Sequence, residues 1–289
     1  MKSFFYWIIA LGLTLIAAVY QRMTGPTYPA KIQLILEEHQ YTLRLPRSHN
    51  STENCTIVLA IPDTAVHAIL QYKRYPTNEA YQTISFRREG EMLVAELPSQ
   101  PPAGKLEYSV ELFASRQSSS SASTGPVIIR FKGAVPAWVL VPHIFLMFFS
   151  MWISNLAGLF ALSRKRQFKG AMTATVVLLF AGGLILGPIV QKYAFGALWT
   201  GFPFGMDLTD NKTLIAFIFW IIAWVGNRKK DRGWLVVLAA VVQILVYSIP
   251  HSLLGSELQY ETGKVITGVF YLCMTIKNEL KCKIRGAKK

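Results

Sequence analysis

The stretch "AWVLVPHIFLMFFSMWISNLAGLFALSRKRQFKG", residues 137–170, decides how the chain is read. Residues 137–162 contain no Asp, Glu, Lys or Arg, whereas residues 163–170 carry four Lys or Arg. Such an apolar run is long enough to cross a bilayer, which takes ~20 helical residues. An abrupt group of positive charges is what the cytoplasmic end of a span carries. Five further runs have the same apolar character, at roughly 3–20, 171–191, 213–226, 234–250 and 264–276. The composition agrees: of 289 residues, 52% are hydrophobic and 16% charged, and the net charge is +14. Positive charge in so apolar a chain reads as the flanks of membrane spans, so the bilayer is the expected partner and nucleic acid is not.

The basic segments set the orientation. "SRKRQFKG" (163–170), "GNRKKDRG" (226–233), the tail from Lys277 and the N-terminal Lys2 all fall on one side if there are about six spans. The expectation is a membrane α-helical bundle with both termini inside, in the manner of a bacterial inner-membrane protein. Residues 21–136 and 251–264 are then extracytoplasmic. The first run reads as an uncleaved anchor, because it is long, aromatic and without a small-x-small cleavage site. Cys55 is alone on the outer side, with Cys273 and Cys282 at or near the inner side, so no disulfide is expected.

Between the first and second runs the pattern changes. Segments such as "CTIVLAI", "EMLVAEL", "KLEYSVELF" and "PVIIRFK" alternate apolar and polar residues and are separated by turn formers. About eight such segments within 30–133 predict an inserted immunoglobulin- or fibronectin-like β-sandwich. "LPSQPPAGKLEYSVEL" (97–112) resembles the penultimate region of fibronectin type III domains, where a tyrosine placed like Tyr108 anchors a corner. The plan is thus an anchor at 1–20, a sandwich at 30–133, a helical bundle at 137–276 and a basic tail at 277–289. A sandwich on the outside is suited to docking another membrane or extracytoplasmic protein.

The densest chemistry lies in "WTGFPFGMDLTDNK", residues 199–212. This loop falls on the same side as His143, near the start of the second run, and His251, at the end of the fifth. Two imidazoles from different helices are suited to be axial ligands of a haem iron. With carboxylates nearby they also suit a divalent metal. Trp199, Gly201 and Phe204 can lie against a flat ligand, and Lys192, Lys212 or Arg130 can pair with its acidic groups. A plainer reading makes Asp207 the N-cap of the next helix, with Asp210 in its first turn, and the aromatics interfacial.

The longer segment "GALWTGFPFGMDLTDNKTLIAFIFW" (196–220) resembles the tryptophan-rich "WWD" segment of the haem-handling membrane proteins of cytochrome c assembly. Gly196, Ala197 and Trp199 match its opening, and Asp207, Lys212 and Trp220 its later features. This loop is shorter, has one tryptophan where that family has several, and reads "DLTDNK" in place of "DPKE". The resemblance implies that His143 and His251 ligate haem. It also implies that the loop, through Trp199, Gly201, Phe204, Asp207, Asp210 and Lys212, holds the haem edge.

No ionisable residue lies in the middle of a predicted span, which argues against an ion-coupled transporter or pump. There is no "GxSxG", no phosphate-binding loop and no metal-binding cysteine pair, so no catalytic residues are assigned. Three readings stay open: a haem or metal protein acting in electron transfer or cytochrome biogenesis, a non-catalytic membrane subunit or assembly factor, and a metal-dependent enzyme at the outer surface.

Overall fold

The structure, a computed structural model, describes residues 3–114, 120–251 and 255–267. Helix α1 (Ser3–Thr24) leads into a strand-rich region and four further helices follow it. These are α2 (Ala137–Leu162), α3 (Phe168–Phe195), α4 (Leu208–Gly226) and α5 (Gly233–Ser248). The first four are long and apolar enough to cross a membrane, while α5, with 16 residues, is shorter. Side chains such as Ile144, Phe145, Val177 and Leu245 stand exposed on their outer faces, as helices meeting lipid require.

The expected six-span bundle is corrected: among the described residues there are five helices and four small sheets. Residues 264–276, expected as the sixth span, begin as a strand, Lys264–Thr267. It pairs antiparallel with Ser256–Gln259 across a turn in which Gly263 has φ +67°. The apolar run there is too short to span a bilayer as a helix, and its opening "KVIT" favours a strand because β-branched side chains crowd a helix. The rest of that run, the tail 277–289 and both Cys273 and Cys282 lie outside the described residues.

The region between α1 and α2 also differs from the expected sandwich. It is divided among three of the four sheets. One is a hairpin of Ala30–Leu36 with His39–Leu45, and a second joins Cys55–Ala60, Met92–Leu97 and Arg87–Glu89. The largest centres on the long strands His67–Tyr75 and Lys105–Phe113, with Val127–Lys132 on the other side of the latter. The parallel pairing of Val127–Lys132 with the short Ser48–Asn50 was not legible from alternation, which says nothing about strand partners. The inward residues of all three sheets share one core, which includes Leu45, Ile57, Leu70, Leu97, Val110 and Phe131. Tyr108 is fully buried in it, and its hydroxyl donates to the Pro46 carbonyl at 2.8 Å, closing the loop after the second strand.

Small side chains let the helices approach closely. Ala10, Thr14 and Ala17 of α1 are buried against α2, where Asn155 Nδ2 donates to Thr14 Oγ1 at 2.9 Å. A Cβ on Gly158 of α2 would lie 2.8 Å from Ala240 Cβ of α5. Between α2, α4 and α5 a buried polar chain runs from the Trp220 indole to Gln243 Oε1, and from Gln243 Nε2 to Ser150 Oγ at 3.4 Å. Where the sheets meet the helices, Gly133 N donates to the Ala194 carbonyl at 2.9 Å. A Cβ on Gly133 would lie 2.1 Å from the Tyr193 carbonyl oxygen, so only glycine permits this junction.

Burial raises the Cys55 thiol to about 11, and only the thiolate reacts readily. In a chain with Cys273 and Cys282 replaced by Ser, Cys55 is expected to resist maleimide at pH 8 until the core unfolds. Rapid labelling of the native protein would contradict this packing.

Candidate ligand-binding cavity

Helix α3 is not regular. Its middle, Phe180–Leu186, is a π-helix between α-helical turns. The sequence behind it is "AGGLILGP" (181–188). Pro188 has no N–H and crowds the preceding turn, and glycines adapt to the wider coil. Both Gly182 and Gly183 are also forced by packing: added Cβ atoms would lie 2.8 Å from Leu146 Cβ and 2.7 Å from Thr213 Cγ2. Gly187 N closes the π turn on the Gly182 carbonyl. The same carbonyl lies 2.9 Å from His143 Nδ1. A carbonyl only accepts, so Nδ1 carries the proton and Nε2 is left with a free lone pair.

His143 lines a cavity of about 350 Å³ at the sheet-facing end of the helices, within the size range of small-molecule sites. Met147 and Met151 follow His143 down one face of α2, and Val190, Ala194 and Phe195 of α3 form another wall. His251, just after α5, lines the same cavity. The fold therefore unites the two histidines that the sequence placed on separate segments. His251 stands exposed at the edge of that cavity. Along α2, His143 and Met147 line the cavity, whereas Ser150 and Ser154 are buried between helices.

The loop 199–212 is organised mainly for its own fold. Gly196 ends α3 in the left-handed conformation, at φ +86°. Asp207 is the N-cap of α4: one carboxylate oxygen accepts from Thr209 N at 2.8 Å, and the other from Ser256 N and Oγ, each at 3.1 Å. Asp210 Oδ2 accepts from Thr200 N at 2.6 Å and Gly201 N at 2.9 Å, folding the loop onto the first turn of α4. Gly201 has no room for a side chain, since a Cβ would lie 2.6 Å from Asp210 Cβ. Lys212 is fully buried and donates to the Ile249 carbonyl at 2.8 Å, which ties α4 to the segment bearing His251.

Of the loop residues expected at the ligand, Asp207 and Asp210 line the cavity, and both spend carboxylate oxygens on backbone N–H groups. Trp199 is outside the cavity lining and donates its indole N–H to the Phe202 carbonyl at 3.0 Å. Phe204 is 82% exposed and points away from the protein. Both fit the interfacial reading better than the haem-edge one. Among the described residues no three His, Cys, Asp or Glu side chains gather in a metal-binding group. Gln21 and the Gly182 carbonyl were missed by sequence reasoning. "AGG" followed by "GP" was the available signal for the last of them.

No family model, curated protein or solved structure matches the chain.

Replacing Asp210 by Ala strands two loop N–H groups and is expected to lower stability by about 2 kcal/mol or more. Phe204→Ala, at an exposed position, is expected to stay within about 0.5 kcal/mol. Thermal unfolding of the two variants in one detergent checks the contrast. The reverse order would return the loop aromatics to the site.

Proposed function

We propose that the chain is an integral membrane protein that binds haem in this cavity, through His143 and His251, and serves electron transfer or cytochrome biogenesis. One observation carries the reading: two histidines from distant segments line one mostly apolar cavity, and the Nδ1–Gly182 bond presents His143 Nε2 as a donor. Fixing an imidazole through its second nitrogen is how proteins orient metal-bound histidines. Bound haem would supply one-electron chemistry at its iron. The chain's part is to hold the two imidazoles, to exclude water with Met147, Met151 and Val190, and to close the end of the site with the loop before α4.

The basic loops favour an outward-facing site. Lys169 and Asp231 are bridged at 2.5 Å, so the "SRKRQFKG" and "GNRKKDRG" loops sit together at the end of the helices away from the cavity. Lys165 lies 4.8 Å from the Tyr6 ring, which puts the start of α1 at that end too. By the positive-inside rule that end is cytoplasmic, and the sheets and cavity are extracytoplasmic. A bacterial inner membrane accommodates this arrangement.

A hydrolytic metal site is less well supported, because Asp207 and Asp210 already accept backbone hydrogen bonds. Haem is expected to give the detergent-purified chain, with or without added haemin, a Soret band and sharp longer-wavelength bands on reduction. His143→Ala and His251→Ala are each expected to abolish the reduced spectrum. A featureless spectrum after haemin addition would overturn the reading and leave that of a non-catalytic subunit.

A further inference from the structure

Three cations stand on neighbouring strands near the junction of the sheets with the helices, none of them among the residues that line the cavity. Lys105 and Arg130 are register partners in adjacent strands, and Lys132 is two residues beyond Arg130 on the same face. Lys105 has its counter-charge, a salt bridge to Glu257. Arg130 is only 6% exposed, and its Nη1 has no hydrogen-bond partner among the described residues. Its guanidinium lies 5.6 Å from the centre of the Phe195 ring, which is part of the cavity wall. The Gly133 N to Ala194 carbonyl bond fixes that end of the strand against the same wall.

A buried guanidinium cannot escape its charge by losing a proton, so an unfilled donor there is costly. Burial opposes the Arg130 charge most strongly, and Glu257 and Asp207 support it from a distance. Yet Glu257 is committed to Lys105, and Asp207 to Ser256 and Thr209. Lys132 is held below its usual value by burial, then by Arg22 and by Arg130 itself. Positive charge therefore exceeds its available partners where the apolar cavity meets the sheets.

We propose that Arg130, assisted by Lys132, binds an acidic group of the cavity's ligand, which is therefore an amphiphile with an apolar body and an anionic head. The inference builds on the cavity described above but does not need haem as its occupant. A porphyrin carboxylate and the phosphate of an anionic lipid share the required chemistry, since both accept charge-assisted bonds from a guanidinium.

The test compares matched probes on the full chain in neutral detergent. Haemin is set against haemin dimethyl ester, and fluorescent phosphatidylglycerol against diacylglycerol with the same acyl chains. In at least one pair the acidic member is expected to bind about tenfold tighter or more. Arg130→Gln should remove that preference without weakening the neutral member, and Arg130→Lys should keep part of it. Where Arg130→Gln does not fold, the half-buried Lys132→Gln is expected to reduce the same preference. Haemin binding with a carboxylate preference supports the proposal with porphyrin as the source. No haemin binding but a lost phosphatidylglycerol preference defeats the haem reading alone and supports the proposal with lipid as the source. No acid preference in either pair, or one that survives both Gln variants, overturns it.

Discussion

The Gly182 carbonyl carries two obligations, closing the π turn of α3 and accepting from His143 Nδ1, and the proposed site depends on its doing both. In a regular α-helix that carbonyl would be directed along the axis to the residue four further on. The π turn widens the coil and makes the oxygen available to a side chain of the facing helix. Gly182 and Gly183 make this possible twice over, by tolerating the coil and by letting α3 pack against Leu146 and Thr213. The tautomer of His143 and the direction of its free lone pair follow from that local irregularity.

A second constraint is electrostatic. Asp207, Asp210 and Lys212 are buried at one helix start, where unpaired charge would be costly. Each is relieved by backbone groups rather than by a ligand: the two carboxylates collect N–H groups of the loop, of α4 and of Ser256, and the ammonium reaches the Ile249 carbonyl. This is why a short loop gathers so many polar residues. They stitch α4 to its flanking segments on both sides and hold His251 near His143. Arg130 Nη1 is a buried charged donor for which no partner is found among the described residues.

Much of this was legible in the sequence, and the failures have physical causes. Apolar runs at 137–162, 171–191 and 213–226 became helices because length and hydropathy are local properties. The alternation in "CTIVLAI" and "KLEYSVELF" became strands with buried alternate residues for the same reason. Division of those strands among three sheets was not legible, since pairing is a long-range choice. The run at 264–276 misled because apolar composition alone does not separate a short span from a hairpin strand. His143 and His251 could be placed on one side by topology, but only the packing of α2, α3 and the segment after α5 shows that they share a cavity. Trp199 and Phe204 drew attention as aromatics, yet nothing local reveals that Phe204 points outward. Arg130 reads as an ordinary strand residue until its burial is seen.

The proposed site requires that one ligand meet both imidazoles. Low-temperature electron paramagnetic resonance of the chain loaded with one equivalent of haemin measures this, because two imidazoles hold ferric haem low-spin. A low-spin signal that turns high-spin in His143→Ala and in His251→Ala is expected. A high-spin or free-haemin signal in the unaltered chain, or a low-spin signal indifferent to both substitutions, would contradict it.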